Sequence, residues 1–253
     1  MGNFQIGYTF STYAPSAANE DANYPSANLY LYSHTKRHFR TLSDTASLIV
    51  IDQGATNMLS GIVLNDVNFA TCVIMGNASS SFGAPSFSTQ ITISNDARVG
   101  RYKAYHPLPI DYRYIGIRMP DGMAKTDALS VYRIGTIGLI KSITTVTLMS
   151  NGYEWTADEE SIMNEMQGGW FEDVRMGDNV WEGTLSYPIG VSTVSEAEFK
   201  TLTTLRKNAN LVFYENDGDN SQVYICRRRS KIEIKKEAGG LFTPSNITFR
   251  ELL

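Results

Sequence analysis

The stretch Leu48-Ile-Val-Ile-Asp-Gln-Gly54 decides the fold, because its short apolar run stops at residues that favour turns. Gly61-Ile-Val-Leu64 and Ala70-Thr-Cys-Val-Ile-Met75 repeat this plan, each at about strand length and each followed by Asn, Asp or Gly. β-branched residues favour strands, whereas Gly, Asn and Asp favour turns. Repetition of short apolar runs between turn formers predicts a β-sandwich or a barrel.

A later segment, residues 112–119, has the alternating pattern of a strand with one buried face. It places Arg113, Ile115, Ile117 and Met119 on one face and Tyr112, Tyr114, Gly116 and Arg118 on the other. Pro120-Asp-Gly122 then predicts a turn. The small polar residues 76–90 predict a loop.

The second half of the chain is predicted to be mostly β with one helix near residues 195–209. The helix begins with a capping box, Ser195-Glu-Ala-Glu198, and continues with a stripe of apolar residues. Strands are expected at 211–214 and 222–226, joined by an acidic turn, and again at 232–234 and 247–249. Residues 155–167 begin with acidic residues, which favours a short helix over an acidic loop.

Charge divides the chain in the same way. Residues 1–140 hold 10 Lys and Arg against 9 Asp and Glu, whereas residues 141–253 hold 12 against 17. This step predicts a domain boundary near residues 138–150. The expected architecture is therefore mainly β, with a β-sandwich at 1–140 followed by a mostly β (α+β) domain at 141–253.

Composition excludes several classes of protein. The net charge of −4 argues against specific nucleic-acid binding, which requires a cationic excess. No apolar run is long enough to span a bilayer, and the first residues do not have the pattern of a secretory signal. Two distant cysteines, Cys72 and Cys226, provide neither a disulfide framework nor a structural zinc site. We therefore expect synthesis in the cytoplasm and no membrane insertion.

Signatures of catalysis and of cofactors are absent from the sequence, which predicts a non-enzymatic protein without a cofactor. There is no nucleophile elbow, Walker loop, dinucleotide-binding glycine pattern or zinc-protease motif. His34 and His38 have a spacing that suits a metal on a helix, but no acidic or Cys ligand lies near them in sequence. We expect no metal site.

Two groups of residues are candidates for binding. Tyrosines and polar groups before a strand can stack on sugar rings and bond their hydroxyls, which makes a glycan site conceivable at Arg101, Tyr102, Tyr105 and His106. The same residues also suit an ordinary core and its rim. The densest cationic segment predicts a charged edge strand or a subunit contact at Arg227, Arg228 and Arg229.

Residues 24–134 resemble the discoidin-like, galactose-binding-like jelly roll. The similarity is carried by Tyr24-Pro-Ser-Ala-Asn-Leu29, by His38-Phe-Arg-Thr41 with Phe where that superfamily usually has Trp, and by the apolar strand with Asp52-Gln-Gly54. Residues 112–118 and 134–137 resemble its late core strand and its closing strand. The resemblance implies a jelly-roll β-sandwich for the first domain.

Asn65-Asp-Val-Asn-Phe69 and the C-terminal residues 211–253 are similar to proteins of bacteriophage tails. That resemblance implies a structural component of the tail tip, distal tail or baseplate region, whose second domain has a tail-tube-like β fold. Its partners would be other tail proteins, further copies of itself in a homo-oligomer, and a host-surface glycan. Its location would be the virion tail, assembled in the host cytoplasm.

A carbohydrate-binding module of an enzyme that degrades the host surface is the alternative. A glycosidase requires two carboxyl groups across a cleft. The sequence concentrates its carboxylates at Glu154, Asp158, Glu159, Glu160, Glu172 and Asp173, for which a solvated acidic loop is the simpler interpretation.

Overall fold

A computed structural model describes residues 3–29, 38–96, 101–147, 153–158, 161–166, 170–175, 180–185, 210–215, 223–229, 233–236, 242–244 and 247–251. The chain forms two compact units. The larger unit contains residues 5–145 and 212–223, and the smaller unit contains residues 1–4, 146–211 and 224–253. The assignment of a jelly roll to residues 1–140 and a tail-like domain to residues 141–253 stays a prediction.

The described residues up to Thr147 form nine strands and one 3₁₀ turn at Ser26–Leu29. The strands are β1 (Asn3–Phe10), β2 (Ala14–Ala17), β3 (Phe39–Arg40), β4 (Ser47–Val67), β5 (Thr71–Asn77), β6 (Phe87–Thr92), β7 (Ser94–Asp96), β8 (Arg101–Met119) and β9 (Arg133–Thr147). Within the described chain, neighbouring strands follow the order β1-β9-β4-β8-β5-β6, with β2 added to β4, β3 to β9 and β7 to β8. This curled antiparallel sheet has the character of a jelly-roll β-sandwich, so the predicted mainly β fold is confirmed.

The two long strands β4 and β8 pair in two segments. Residues 47–52 lie opposite 114–119, and residues 61–67 lie opposite 102–107, with irregularities between Asp52 and Asn57 and at two later points. The sequence predicted a turn at 52–54 that separates two strands. Instead one strand continues through it, because extra residues bulge outward at Gly54, whose φ of 73° suits glycine.

The core of the larger unit is built from alternate residues of these strands. Ile115, Ile117 and Met119 are buried as predicted, whereas Arg118 between them is exposed. They pack in one apolar cluster with Ile49 and Ile51 of β4. Burial of such side chains contributes roughly 1.5–3 kcal/mol each. The core therefore fixes the register of β4 against β8, and with it the residues at the bulge.

The described residues of the second half also form strands, with the bounds β10 (Tyr153–Asp158), β11 (Ser161–Met166), β12 (Trp170–Arg175), β13 (Val180–Leu185), β14 (Asn210–Glu215), β15 (Val223–Arg228), β16 (Ile234–Lys236), β17 (Phe242–Pro244) and β18 (Ile247–Glu251). In the smaller unit the described strands pair in the order β10-β13-β18-β15, with separate pairs β11–β12 and β16–β17.

The prediction of a short helix at residues 155–167 is wrong. Two strands occupy this segment: β10 pairs with β13, and β11 pairs with β12 across the register Ser161 to Arg175. Backbone pairing with a partner strand overrides the weak local preference of an acidic start. The predicted helix at 195–209 and the predicted turn at 216–220 lie outside the described residues. Among the described residues, no helix has the length and apolar character needed to cross a membrane.

Candidate functional site

The four residues predicted to bind a glycan all belong to the first part of β8, and the structure describes the side-chain surroundings of Tyr102, Tyr105 and His106. Tyr105 is only 2% exposed. Its ring lies so close to Gly61 that a Cβ there would be 2.5 Å from Tyr105 Cε2. Tyr105 therefore packs inside the unit. Tyr102 is partly buried against the core cluster, and partial burial lowers the pKa of His106.

Arg101 is opposite Asp96 of β7 in the strand register. The role of Arg101, Tyr102, Tyr105 and His106 in glycan binding stays a prediction.

The cationic segment Arg227–Arg229 lies at the end of β15. Arg227 is opposite Arg250 and Arg228 is opposite Phe249 in the neighbouring strand β18. The Arg229 backbone N–H donates to the Thr248 carbonyl at 2.8 Å, and burial lowers the pKa of Arg228. The segment belongs to a paired strand, and its role in a subunit contact stays a prediction.

The bulge of β4 creates a polar site that the sequence did not single out. Arg113 donates from Nε to Asp52 Oδ1 and from Nη2 to Asp52 Oδ2, each at 2.8 Å. The side chains are 42% and 33% exposed, respectively. The Gly54 backbone N–H also donates to Asp52 Oδ1 at 2.8 Å. This bidentate geometry fixes the Arg113 guanidinium and the Asp52 carboxylate relative to each other.

The same contacts control the charge of the pair. The hydrogen bond from Arg113, and then that from Gly54, lowers the pKa of Asp52 from 3.8 to about 2. The guanidinium carbon of Arg113 also lies 4.9 Å from the centre of the Tyr114 ring, a cation–π contact. Near neutral pH the site therefore presents a carboxylate and a guanidinium side by side, supported by an aromatic ring.

A buried residue beside this pair ties the bulge to β8. Gln53 is buried, and its Nε2 donates to the Tyr112 carbonyl at 2.8 Å. We call the group of Asp52, Gly54, Arg113 and Tyr114, which the contacts above join, the bulge rim.

A second polar cluster lies next to β3. The rings of Tyr24 and His38 are stacked with their centres 4.8 Å apart and their planes at 15°. The Arg40 guanidinium carbon lies 4.1 Å from the centre of the Tyr24 ring, and its Nε donates to His38 Nε2 at 2.6 Å. We call these three residues the Tyr24 cluster.

Metal and thiol chemistry are not indicated by the residues the structure covers. Within the described ranges no group of three or more His, Cys, Asp and Glu is placed to hold a metal ion. Of the two histidines whose spacing would suit a metal on a helix, His38 belongs to the Tyr24 cluster and His34 lies outside the described residues. Burial raises the pKa of the Cys72 thiol to about 12, which makes it a poor nucleophile.

Comparisons with known proteins give structural similarity only. No protein-family model and no curated protein matches the chain. Among solved structures, the lectin-binding domain of lectinolysin, in a complex with Lewis b, is 10% identical; the match covers 54% of this chain and 99% of that one, with a TM-score of 0.41.

A fucose-binding module from Streptococcus pneumoniae is 14% identical over 52% of this chain and 95% of that one, with a TM-score of 0.39. The family 32 carbohydrate-binding module of C. perfringens NanJ, in a complex with galactose, is 13% identical over 53% and 98%, with a TM-score of 0.39.

Both polar clusters depend on contacts that local patterns do not show. Arg113 was assigned to the apolar face of its strand, and Asp52 to a turn. The pairing of the two becomes visible only once β4 and β8 are in register. The available signal was a charged residue at the end of an otherwise apolar face, because an Arg there needs an anionic partner.

Proposed function

We propose that the larger unit binds a carbohydrate at the bulge rim without transforming it. The observation that carries the proposal is the exposed two-pronged pair of Asp52 and Arg113, held at 2.8 Å on both sides and supported by Tyr114. The proposal agrees with the alternative drawn from the sequence, a carbohydrate-binding module.

The chemistry of the pair suits neighbouring hydroxyl groups. A sugar hydroxyl both donates and accepts hydrogen bonds, so a carboxylate can accept from one hydroxyl while the guanidinium donates to the next. Arg113 uses Nε and one N–H of Nη2 for Asp52, and Nη1 keeps its donors for a ligand. Because the pair is already fixed, little side-chain freedom is lost when a ligand binds.

The net charge and the apolar part of the rim narrow the class of ligand. The carboxylate and guanidinium of the pair cancel, which favours an uncharged sugar over an acidic one. The ring of Tyr114 provides apolar surface for the C–H groups of a pyranose. The proposed ligand is therefore a neutral sugar.

A glycan array probed with the full chain tests this proposal. Wild-type protein is expected to bind a set of neutral glycans, and Arg113→Met is expected to lose that binding. Arg118→Met is the matched control, since Arg118 is an exposed arginine on the same strand that donates instead to the Phe82 carbonyl. Equal binding by the wild type and Arg113→Met would overturn the assignment to the bulge rim.

Assembly into a phage tail is a separate proposal that rests on the sequence resemblance. A glycan-binding unit is compatible with it, because a tail component that contacts the host surface needs such a unit. Mass photometry of the purified chain tests assembly: defined oligomers or rings support it, and a strictly monomeric protein at high concentration contradicts it. The proposed partners, homo-oligomer and virion location depend on this result.

A further inference from the structure

The Tyr24 cluster has a geometry that fixes its protonation. Arg40 Nε carries a hydrogen and donates it, so His38 Nε2 must provide a lone pair. The imidazole is therefore neutral in this arrangement, and the charge of the cluster is the single positive charge of Arg40. Since Arg40 and His38 are in hydrogen-bond contact, both lie over the same face of Tyr24.

Arg40 differs from Arg113 and Arg133 in its electrostatic partners. Arg113 is paired with Asp52, and Arg133 lies 3.0 Å from Asp66. Over the described parts of the chain, no carboxylate lies within ion-pair distance of Arg40. Its contacts are a neutral imidazole and an aromatic ring, neither of which neutralises a cation.

Two acidic residues of the adjoining loop, Glu20 and Asp21, already accept hydrogen bonds from other residues. Glu20 Oε2 accepts from the Ser26 backbone N–H at 3.0 Å, and Asp21 Oδ1 accepts from the Asn23 backbone N–H at 2.9 Å. The Asp21 backbone donates to the Arg40 carbonyl, so this loop is fastened to β3 by main-chain contacts while its carboxylate serves the loop itself.

Arg40 is nevertheless well oriented. Its Nε is held by His38 and its plane lies over Tyr24, whereas Nη1 and Nη2 have no hydrogen-bond partner in the described structure. The terminal Nη1 and Nη2 groups form an edge that matches the two oxygens of a carboxylate. Half-burial of Arg40 reduces screening by water and strengthens such a contact.

We propose that the Tyr24 cluster is a second binding site, which takes a carboxylate group through Arg40. It lies on different strand pairings from the bulge rim. In the rim, Asp52 of β4 is opposite Ala14 of β2 and Tyr114 of β8, whereas β3 is opposite Ile134 and Arg133 of β9. The two sites divide ligand chemistry between them: the neutral ion pair serves hydroxyl groups, and the uncompensated arginine serves an anion. An acidic sugar and a free peptide carboxylate are the two sources of such a group.

Calorimetric titration of the full chain with D-glucuronate tests the proposal. D-glucuronamide is the matched uncharged probe, and N-acetylglycine is a carboxylate without a sugar. We expect saturable binding of glucuronate and a loss of about ten-fold or more with glucuronamide, since the charge-assisted contact is absent. Comparable binding of N-acetylglycine would support recognition of the carboxylate itself, and much weaker binding would support an acidic sugar.

Variants separate this site from the bulge rim. Arg40→Gln is expected to lose glucuronate binding by about ten-fold or more. Arg118→Gln, a change at an exposed arginine of β8, is expected to retain it. Because Arg40 does not belong to the bulge rim, failure of the proposed glycan site leaves this result unaffected. Absence of saturable glucuronate binding, equal binding of glucuronamide, or unchanged binding by folded Arg40→Gln would overturn the proposal. The comparison of glucuronate with glucuronamide uses wild-type protein, so it holds even if Arg40→Gln fails to fold.

Discussion

Arg113 and Asp52 form a bidentate ion pair at the bulge of β4, in which both N···O distances are 2.8 Å. The pair depends on the register that sets Asp52 opposite Tyr114, the residue that follows Arg113 on β8. Because the core residues on both strands fix this register, the hydrophobic packing of the unit determines where this ion pair lies.

The pair makes a defined contribution to the pH dependence of folding. Its Asp52 carboxyl has a pKa of about 2 in the folded chain, below the ordinary 3.8. Because this pKa is lower in the folded chain than in the unfolded chain, the ionised carboxylate stabilises the fold when the pH is above the unfolded-state pKa. This stabilisation is lost as the pH falls from about 4 to about 2.

We therefore expect Asp52→Asn to be less stable than the wild type at about pH 6, with the difference shrinking toward about pH 2. Urea unfolding at a series of pH values measures it. A stability difference that is the same at all these pH values would show that the substitution acts through packing and that the ionised pair contributes nothing.

Gly61 should not tolerate a side chain. A Cβ at this position would lie 2.5 Å from the ring of the buried Tyr105. We expect Gly61→Ala to destabilise the protein by about 1–3 kcal/mol, the usual cost of overpacking. Thermal or urea unfolding measures the change.

Gly83→Ala is the control for this substitution, because Gly83 is exposed and no atom lies within 4 Å of the added Cβ. Its effect should stay within about 0.5 kcal/mol. Equal stability of Gly61→Ala and Gly83→Ala would mean that Tyr105 is not packed over Gly61, and the ring would then be available at the surface.

Cys72 should be chemically inert in the folded protein. Its thiol is fully buried and its pKa is raised to about 12, so the reactive thiolate is scarce at about pH 8. We expect iodoacetamide to modify the peptide that contains Cys72 only after unfolding in urea, as measured by mass spectrometry. Modification in native buffer at the rate seen in urea would contradict the burial of this strand.

The sequence predicted the parts of the fold that depend on local pattern. The alternation of Ile115, Ile117 and Met119 correctly identified a strand with one buried face, because every second residue of a strand lies on the same face. It did not predict that β4 continues through Asp52-Gln-Gly54. A bulge and a turn use the same residues, and only pairing with β8 distinguishes them.

The polar sites were harder to predict for the same reason. Tyr105 belongs to an aromatic segment that suggested stacking on a sugar, yet the ring is buried because Gly61 on the neighbouring strand leaves room for it. Arg40 belongs to the segment His38-Phe-Arg-Thr41, which resembles a family motif. Its position over the Tyr24 ring depends on a loop contact that the pattern of residues along the chain does not show. Long-range contacts decide which polar residues reach the surface.

The central claim is that the Asp52–Arg113 pair binds a neutral carbohydrate. The most direct test is calorimetric titration of the wild type and of Asp52→Asn with one neutral glycan that binds in the array. Asp52→Asn keeps the size of the side chain and leaves Arg113 in place, but it removes the charge and one strong acceptor. We predict affinity weaker by about ten-fold or more for Asp52→Asn, because a charge-assisted contact is lost. An unchanged dissociation constant would contradict the claim.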